Sequence, residues 1–491
     1  MGIQKEFYWK VKIVKNKFIG VNALLNVIKT IFGIIFPLIT FPYISRVLGV
    51  QNIGIYNFSL SIVSYFTLFA GLGISTYAIR EGARYRYNRK KVSDFCSEVF
   101  SINVISTLVS YVILILCLIF LNKLHDYIII ISILSISISF TTLGCEWIFN
   151  IFEEFGLITI RTILCQFISV ILMFVFVKNK DSLVQYAVIS LIATSGANFI
   201  NIFAKRKYCD FKFCFNVKMR RHVIPILILF ANSVAMTIYI NSDVTILGLI
   251  SGSYYVGLYS VATKVYTMLK SLLGALIIVS IPRLSSYIGM GNKEEYSTTA
   301  STILNSLITL AVPIMVGTFA LSDKIVFILS GKKFLQATTS LKILSISLLF
   351  SIFSWFYTSC VLIVNKEDKS VLKATVFAAL SNVVLNVILI PYFNQNAAAF
   401  TTAIAELISA LVCYFYGRKY FKANLPKNDI LSTVLGSIII ILICHFVGIY
   451  VSSLYLDIIV SFILSVIAYG LILILFKNKS IELVLSFIKR N

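Results

Sequence analysis

Blocks of Ile, Leu, Phe and Val long enough to cross a bilayer recur from one end of this chain to the other, and that repetition leaves few folds open. A soluble fold of 491 residues cannot bury a composition that is 59% hydrophobic and 13% charged. Fourteen segments reach the roughly 20 apolar residues of a spanning helix: 20–48, 54–79, 96–121, 128–149, 157–177, 183–204, 223–250, 256–281, 299–321, 337–364, 371–391, 397–417, 429–451 and 455–476. The alternating pattern of a membrane β-barrel is absent. Backbone groups in lipid must bond within their own segment, so the expectation is an all-α polytopic membrane protein with 14 transmembrane helices.

The net charge of +23 raises the possibility of nucleic-acid binding, but its distribution argues against it. The basic runs Arg84 to Lys91 and Lys205 to Arg221 each join two expected spans, where Lys and Arg set topology, and no nucleic-acid-binding motif accompanies them. With the N-terminus inside, inner segments hold 32 Lys and Arg and outer segments hold 8, which puts both termini in the cytoplasm. The first 18 residues are basic and amphipathic. They read as a helix lying on the inner leaflet rather than as a cleaved signal. The nine cysteines form no Cys-x-x-Cys pair and read as small apolar side chains.

A repeat organises the spans. Leu48-Gly49 followed by Gly54-Ile55-Tyr56 recurs six spans later as Leu247-Gly248 followed by Gly257-Leu258-Tyr259. An even offset preserves orientation, so the copies are parallel and imply two six-helix lobes about a pseudo-two-fold along the membrane normal. The expected parts are a cytoplasmic N-terminus (1–18), an N-lobe (19–210), a C-lobe (211–420), and two further helices with a cytoplasmic tail (421–491). Two such lobes enclose a central cleft and allow alternating access by rocking. Pro37 and Pro42 in the first span and Pro313 in the ninth are candidate hinges.

Function in such a chain concentrates in polar residues that stand inside spans. Lys29 lies in the first span, and Lys264 and Lys270 in the eighth. These helices flank the expected cleft, and a cationic lining suits an anionic substrate. Asp243 matches Lys264 in depth, so it reads as that lysine's ion-pair partner or as a coupling-ion or substrate site. Glu406, near the middle of span twelve, reads as a proton or sodium carrier or as a packed, protonated acid. Arg80 ends span two at the inner face, and Arg46 ends span one at the outer face. Glu146, Glu153, Glu154 and Arg161 read as interface charges. His125 and His222 fall in expected loops, and His445 stands alone in a late span. No zinc-protease, nucleotide-binding or serine-hydrolase motif is present, so enzyme readings are weak and no cofactor is expected.

The stretch Phe36-Pro-Leu-Ile-Thr-Phe-Pro-Tyr-Ile-Ser-Arg-Val-Leu-Gly49 resembles the first span of bacterial polysaccharide repeat-unit flippases of the Wzx type. So do Gly54 to Phe66 and Leu72 to Glu81, and the second half repeats the likeness at Asp243 to Gly248, Val256 to Lys264 and Ile281 to Ser285. The resemblance implies the fold of the multidrug/oligosaccharidyl-lipid/polysaccharide exporter superfamily, with a cationic central cavity. It implies that a polyprenyl-diphosphate-linked oligosaccharide is flipped from the inner to the outer leaflet of a bacterial plasma membrane, for O-antigen or capsule assembly. It matches basic cavity positions to Lys29, Lys264 and Lys270. Membrane lipids, a polysaccharide polymerase and a chain-length regulator are the expected partners, and the energy source stays open between H+ or Na+ antiport through Asp243 or Glu406 and the membrane potential alone. Lys in place of the family's frequent Arg keeps the charge but loses the planar fork. The rival readings are a drug/cation antiporter or lipid II flippase of the same fold and, from another class, a membrane polymerase or acyltransferase.

Overall fold

The structure, a computed structural model, describes residues 19–214 and 219–480; the expected surface helix 1–18 and the tail from 481 lie outside the described residues. Among the described residues there is no strand. The first helices are α1 (Ile19–Gly71), α2 (Ile74–Gly82), α3 (Arg89–Phe120), α4 (Ile128–Gly144), α5 (Glu146–Ile151), α6 (Phe155–Phe176) and α7 (Leu183–Ala204). They continue as α8 (Met219–Ile250), α9 (Ser253–Gly289), α10 (Lys293–Ala320), α11 (Ser322–Ser330) and α12 (Thr338–Phe356). The last are α13 (Asp368–Gly417), α14 (Lys427–Tyr450) and α15 (Leu454–Leu475). The chain is a multi-span membrane protein.

Twelve helices among the described residues are long and apolar enough to cross a membrane, against fourteen expected spans. The difference lies in two helices that each hold a pair of spans. The 53-residue α1 leaves helical geometry at Gly49 (φ 76°, ψ 178°), and its two halves run in opposite directions. Thr159 donates to the Leu25 carbonyl and Tyr43 to the Val177 carbonyl, so the first half runs along α6 from its start to its end. Beyond Gly49, Ser110 donates to Phe66 and Asn103 to Ala70, so the second half runs back along α3. The 50-residue α13 breaks at Asn394 (φ 48°, ψ −127°), shortly after Pro391. Across that break Thr401 Oγ1 donates to Asn386 Oδ1 at 2.6 Å. In a straight helix the two would stand about 22 Å apart.

The turn in the second copy falls elsewhere than the sequence pairing placed it. Gly248 lies within α8, and the backbone breaks at Gly252 (φ 90°, ψ 171°). Gly252 precedes Gly257 by five residues, as Gly49 precedes Gly54. The reason is backbone geometry: positive φ with extended ψ is open almost only to glycine. A second shared device stands at the start of α3 and α10. Asn88 caps one by accepting from Lys91 N, and Asn292 caps the other by accepting from Glu295 N. Neither α1 nor α10 leaves helical geometry at Pro37, Pro42 or Pro313.

The chain divides into two compact units, Met1–Asn241 and Ser242–Asn491. The division falls inside α8, later than the 210/211 boundary read from the sequence. The first turns of α8 belong with unit 1, where His222 meets Tyr77 and Phe230 packs on Phe69. Its last turns belong with unit 2, where Asp243 is held by α9 and α13. In unit 2, Tyr469 of α15 donates to the Thr309 carbonyl of α10 at 2.6 Å, which ties the two added helices to the repeat.

Candidate functional site

Of the charged residues expected within spans, Asp243, Lys270 and Glu406 meet one face of α9 in unit 2. Tyr259, Tyr266 and Lys270 stand at i, i+7 and i+11, within about 40° of one another around the helix. Lys264 lies about 140° round from Tyr259. That azimuth decides the pairing. Lys270 Nζ lies 2.6 Å from Glu406 Oε1, with side chains 25% and 5% exposed. Tyr266 donates to the same oxygen at 2.8 Å. Two residues that the sequence offered separately, one as phosphate ligand and one as ion carrier, are thus one buried ion pair. One turn beyond Lys270, Gly274 leaves room for the Trp355 ring, which would overlap any added Cβ.

Asp243 is 5% exposed and makes four hydrogen bonds, all from neutral donors. Asn382 (2.8 Å) and Asn386 (2.6 Å) donate to Oδ1, while Tyr259 (2.9 Å) and Thr402 (2.5 Å) donate to Oδ2. Outside these, Ser242 donates to Asn382 and Thr401 to Asn386. Lys264, the partner proposed from depth, is not among the donors. Equal depth places two residues in one plane of the membrane, but Lys264 points away from the face that carries Tyr259. The α13 hairpin makes the cluster possible, because it brings Asn382 and Asn386 of one half beside Thr402 of the other. Thr402 and Glu406, four residues apart, then face α9 together and join the two acidic centres to one helix pair.

Unit 1 shows a different arrangement. The Lys29 side chain lies outside the described residues, although α1 passes through it. Arg46 is exposed near the end of the first half of α1. Arg80 is 57% exposed and lies 3.4 Å from Glu81, which also meets Arg84 at 2.9 Å. Glu153 pairs with Arg86 at 2.5 Å, and Arg161 donates to the Leu157 carbonyl with its guanidinium over the Phe149 ring.

His222 is not a loop residue but a fully buried one in the first turn of α8. Its Nε2 meets Glu98 at 2.5 Å and its Nδ1 meets the Tyr77 hydroxyl at 2.7 Å. Nothing in the sequence signals this triad, whose members come from three separate helices. Lys324 and Asp457 form a further ion pair at 2.6 Å that no sequence pattern marks. Their pair forms where Gly448 leaves space, since an added Cβ there would stand 3.0 Å from Nζ. Among the described residues no group of three or more His, Cys, Asp or Glu side chains is placed to hold a metal.

Comparison with known proteins follows the same lines. Residues 19–288, more than half of the chain, match a family described as polysaccharide biosynthesis protein. An Escherichia coli (strain K12) protein provisionally named an O-antigen transporter is 24% identical over 391 residues, covering 77% of this chain and 92% of the relative. A Haloferax volcanii protein provisionally named a low-salt glycan biosynthesis flippase is 23% identical over 199 residues, covering 40% and 42%. Among solved structures, a lipid II flippase in an inward closed conformation superposes with a TM-score of 0.71 at 18% identity, covering 93% of this chain and 99% of that one. A multidrug resistance MATE family transporter of the MOP superfamily, in an inward-facing conformation, superposes with a TM-score of 0.57 at 14% identity, covering 84% and 97%. At these identities the two structures speak for the fold.

Proposed function

We propose, on the premise that the chain belongs to the polysaccharide biosynthesis protein family, that it is a flippase for a lipid-linked oligosaccharide. The names of its relatives support that class of cargo. In the finer reading, a polyprenyl-diphosphate-linked repeat unit passes from the inner to the outer leaflet of a bacterial plasma membrane by alternating access. A cationic cavity carries the diphosphate, which cannot cross hydrocarbon unaided, while the prenyl tail stays in lipid. The observation that carries the reading is the pair of lysines on α9, Lys264 and Lys270, inside a spanning helix of a family member. Lys29 belongs to the same reading by its place in α1, and Arg80 and Arg46 by their places at the span ends.

The coupling ion is H+ or Na+, and two carboxylates are available to it. Asp243 has no cation among its partners, so it suits a bound cation that its amide and hydroxyl neighbours can turn to accommodate. Glu406 is already neutralised by Lys270. We therefore assign the coupling role to Asp243.

The test is flipping of a polyprenyl-diphosphate oligosaccharide in liposomes by wild type, Lys29→Ala, Lys264→Ala and Asp243→Asn. Transport by the wild type with loss in the lysine variants supports the reading. A folded wild type that flips nothing removes it. Loss of ion dependence in Asp243→Asn assigns the coupling site.

A further inference from the structure

Lys270 is the cation of α9 best placed to meet an anion, yet it already has one. Its Nζ lies 2.6 Å from Glu406 Oε1 while the side chain keeps 25% of its surface open. Glu406 is 5% exposed, and the Tyr266 hydroxyl at 2.8 Å fixes the same oxygen. The carboxylate is thus held by Tyr266 as well as by Lys270, whose side chain stays a quarter exposed. Any phosphate that arrives meets a neutralised lysine with a fixed negative charge beside it.

We infer that Glu406 is a selectivity element that competes for Lys270 and excludes lipids with a single phosphate charge. The inference rests on the flippase reading and deepens it. An ordinary membrane lipid offers one phosphodiester charge, too little to displace a carboxylate held inside the same molecule at contact distance. A diphosphate offers more charge on two linked groups. Discrimination by a built-in repulsive group is the general solution when the wrong ligand is abundant and shares the tail of the right one. Without Glu406, Lys270 would attract every anionic lipid in the leaflet.

The test holds the tail constant and varies the charge. A labelled polyprenyl diphosphate is displaced from the purified full-length protein by unlabelled polyprenyl diphosphate or by polyprenyl monophosphate capped as its methyl ester, a phosphodiester with one charge. Glu406→Gln keeps the acceptor for Tyr266 and removes the charge. The expected result is that the preference for diphosphate over monophosphate shrinks by about 10-fold or more, mainly through tighter monophosphate binding. Tyr266→Phe, which only frees the carboxylate from its anchor, gives a smaller shift in the same direction and serves if Glu406→Gln fails to fold. An unchanged preference in the folded variants overturns the inference and leaves the flippase reading standing. A wild type that binds neither lipid overturns both.

Discussion

The turns at Gly49 and Gly252 are alike in backbone and unlike in charge. Both hold positive φ with extended ψ, and both lead through a Gly-x-Tyr step into the next span. Nine residues before the turn, unit 2 has Asp243 where unit 1 has Thr40. Twelve and eighteen residues after it, unit 2 has Lys264 and Lys270 where unit 1 has Ser61 and Thr67. In unit 1, Thr40 donates to Phe36, Ser61 to Phe58 and Thr67 to Val63 within their own helix. Asp243 and Lys270 instead reach across to α9 and α13. The difference teaches that the turn belongs to the fold and the charges do not. Neutral side chains stand at the equivalent positions of unit 1, so the turn itself does not require ions there.

The largest effect is expected at Lys270. Lys270→Met leaves the Glu406 carboxylate buried without a cation, and stability should fall by about 3 kcal/mol. Flipping should fall by about 100-fold. The matched change Thr67→Met should stay within about 0.5 kcal/mol. Thermal unfolding of both in one detergent checks this, and equal losses would erase the contrast between the units. Combining Lys270→Met with Glu406→Gln should recover most of the stability but not the flipping.

Next comes Asp243. As Asn it would present an amide N–H to two of its four donors, at a cost of about 2 kcal/mol. Thr40→Val removes only a bond to its own helix and should cost less than about 0.5 kcal/mol. A larger penalty for Thr40→Val would place hidden chemistry in unit 1.

Gly49→Ala and Gly252→Ala should behave alike, each costing about 1–3 kcal/mol through backbone strain. At both positions an added Cβ meets nothing within 4 Å, so no packing term separates them. A gap above about 1 kcal/mol between the two would show that the turns are not equivalent.

The smallest effect is expected at Glu367, in the loop before α13. Lys419, with Tyr420 and Ser370, lowers its carboxyl from 4.5 to about 2. A lowered acid contributes stability above its unfolded value and loses it as pH falls through the folded one. The melting temperatures of wild type and Glu367→Gln should therefore differ slightly at pH 6 and converge between about pH 4.5 and 2. The pair is exposed, so the gap should be small and shrink with salt. A gap that survives below pH 2 would mean that packing, not charge, sets it.

Hydropathy and Lys/Arg placement alone determined much of this protein: a helical membrane chain, paired spans, a parallel repeat, and the ionic residues that stand within spans. These follow from constraints that act along the chain, since lipid demands unbroken apolar length and a reversing turn demands glycine. Depth was legible for the same reason, at 1.5 Å of rise per residue. Partners were only half legible. The spacing of Tyr259, Tyr266 and Lys270 already puts them on one face of α9, and that signal argued against pairing Lys264 with Asp243. Which helix that face meets is decided by how helices rotate against one another in the bundle, and no local pattern records it. Tertiary structure alone gave Glu406 to Lys270 across 136 positions, gathered four neutral donors on Asp243 by folding α13 back at Asn394, and buried His222 between Tyr77 and Glu98. A buried ion takes the partner that shares both its depth and its azimuth, and only the packed helices fix the second.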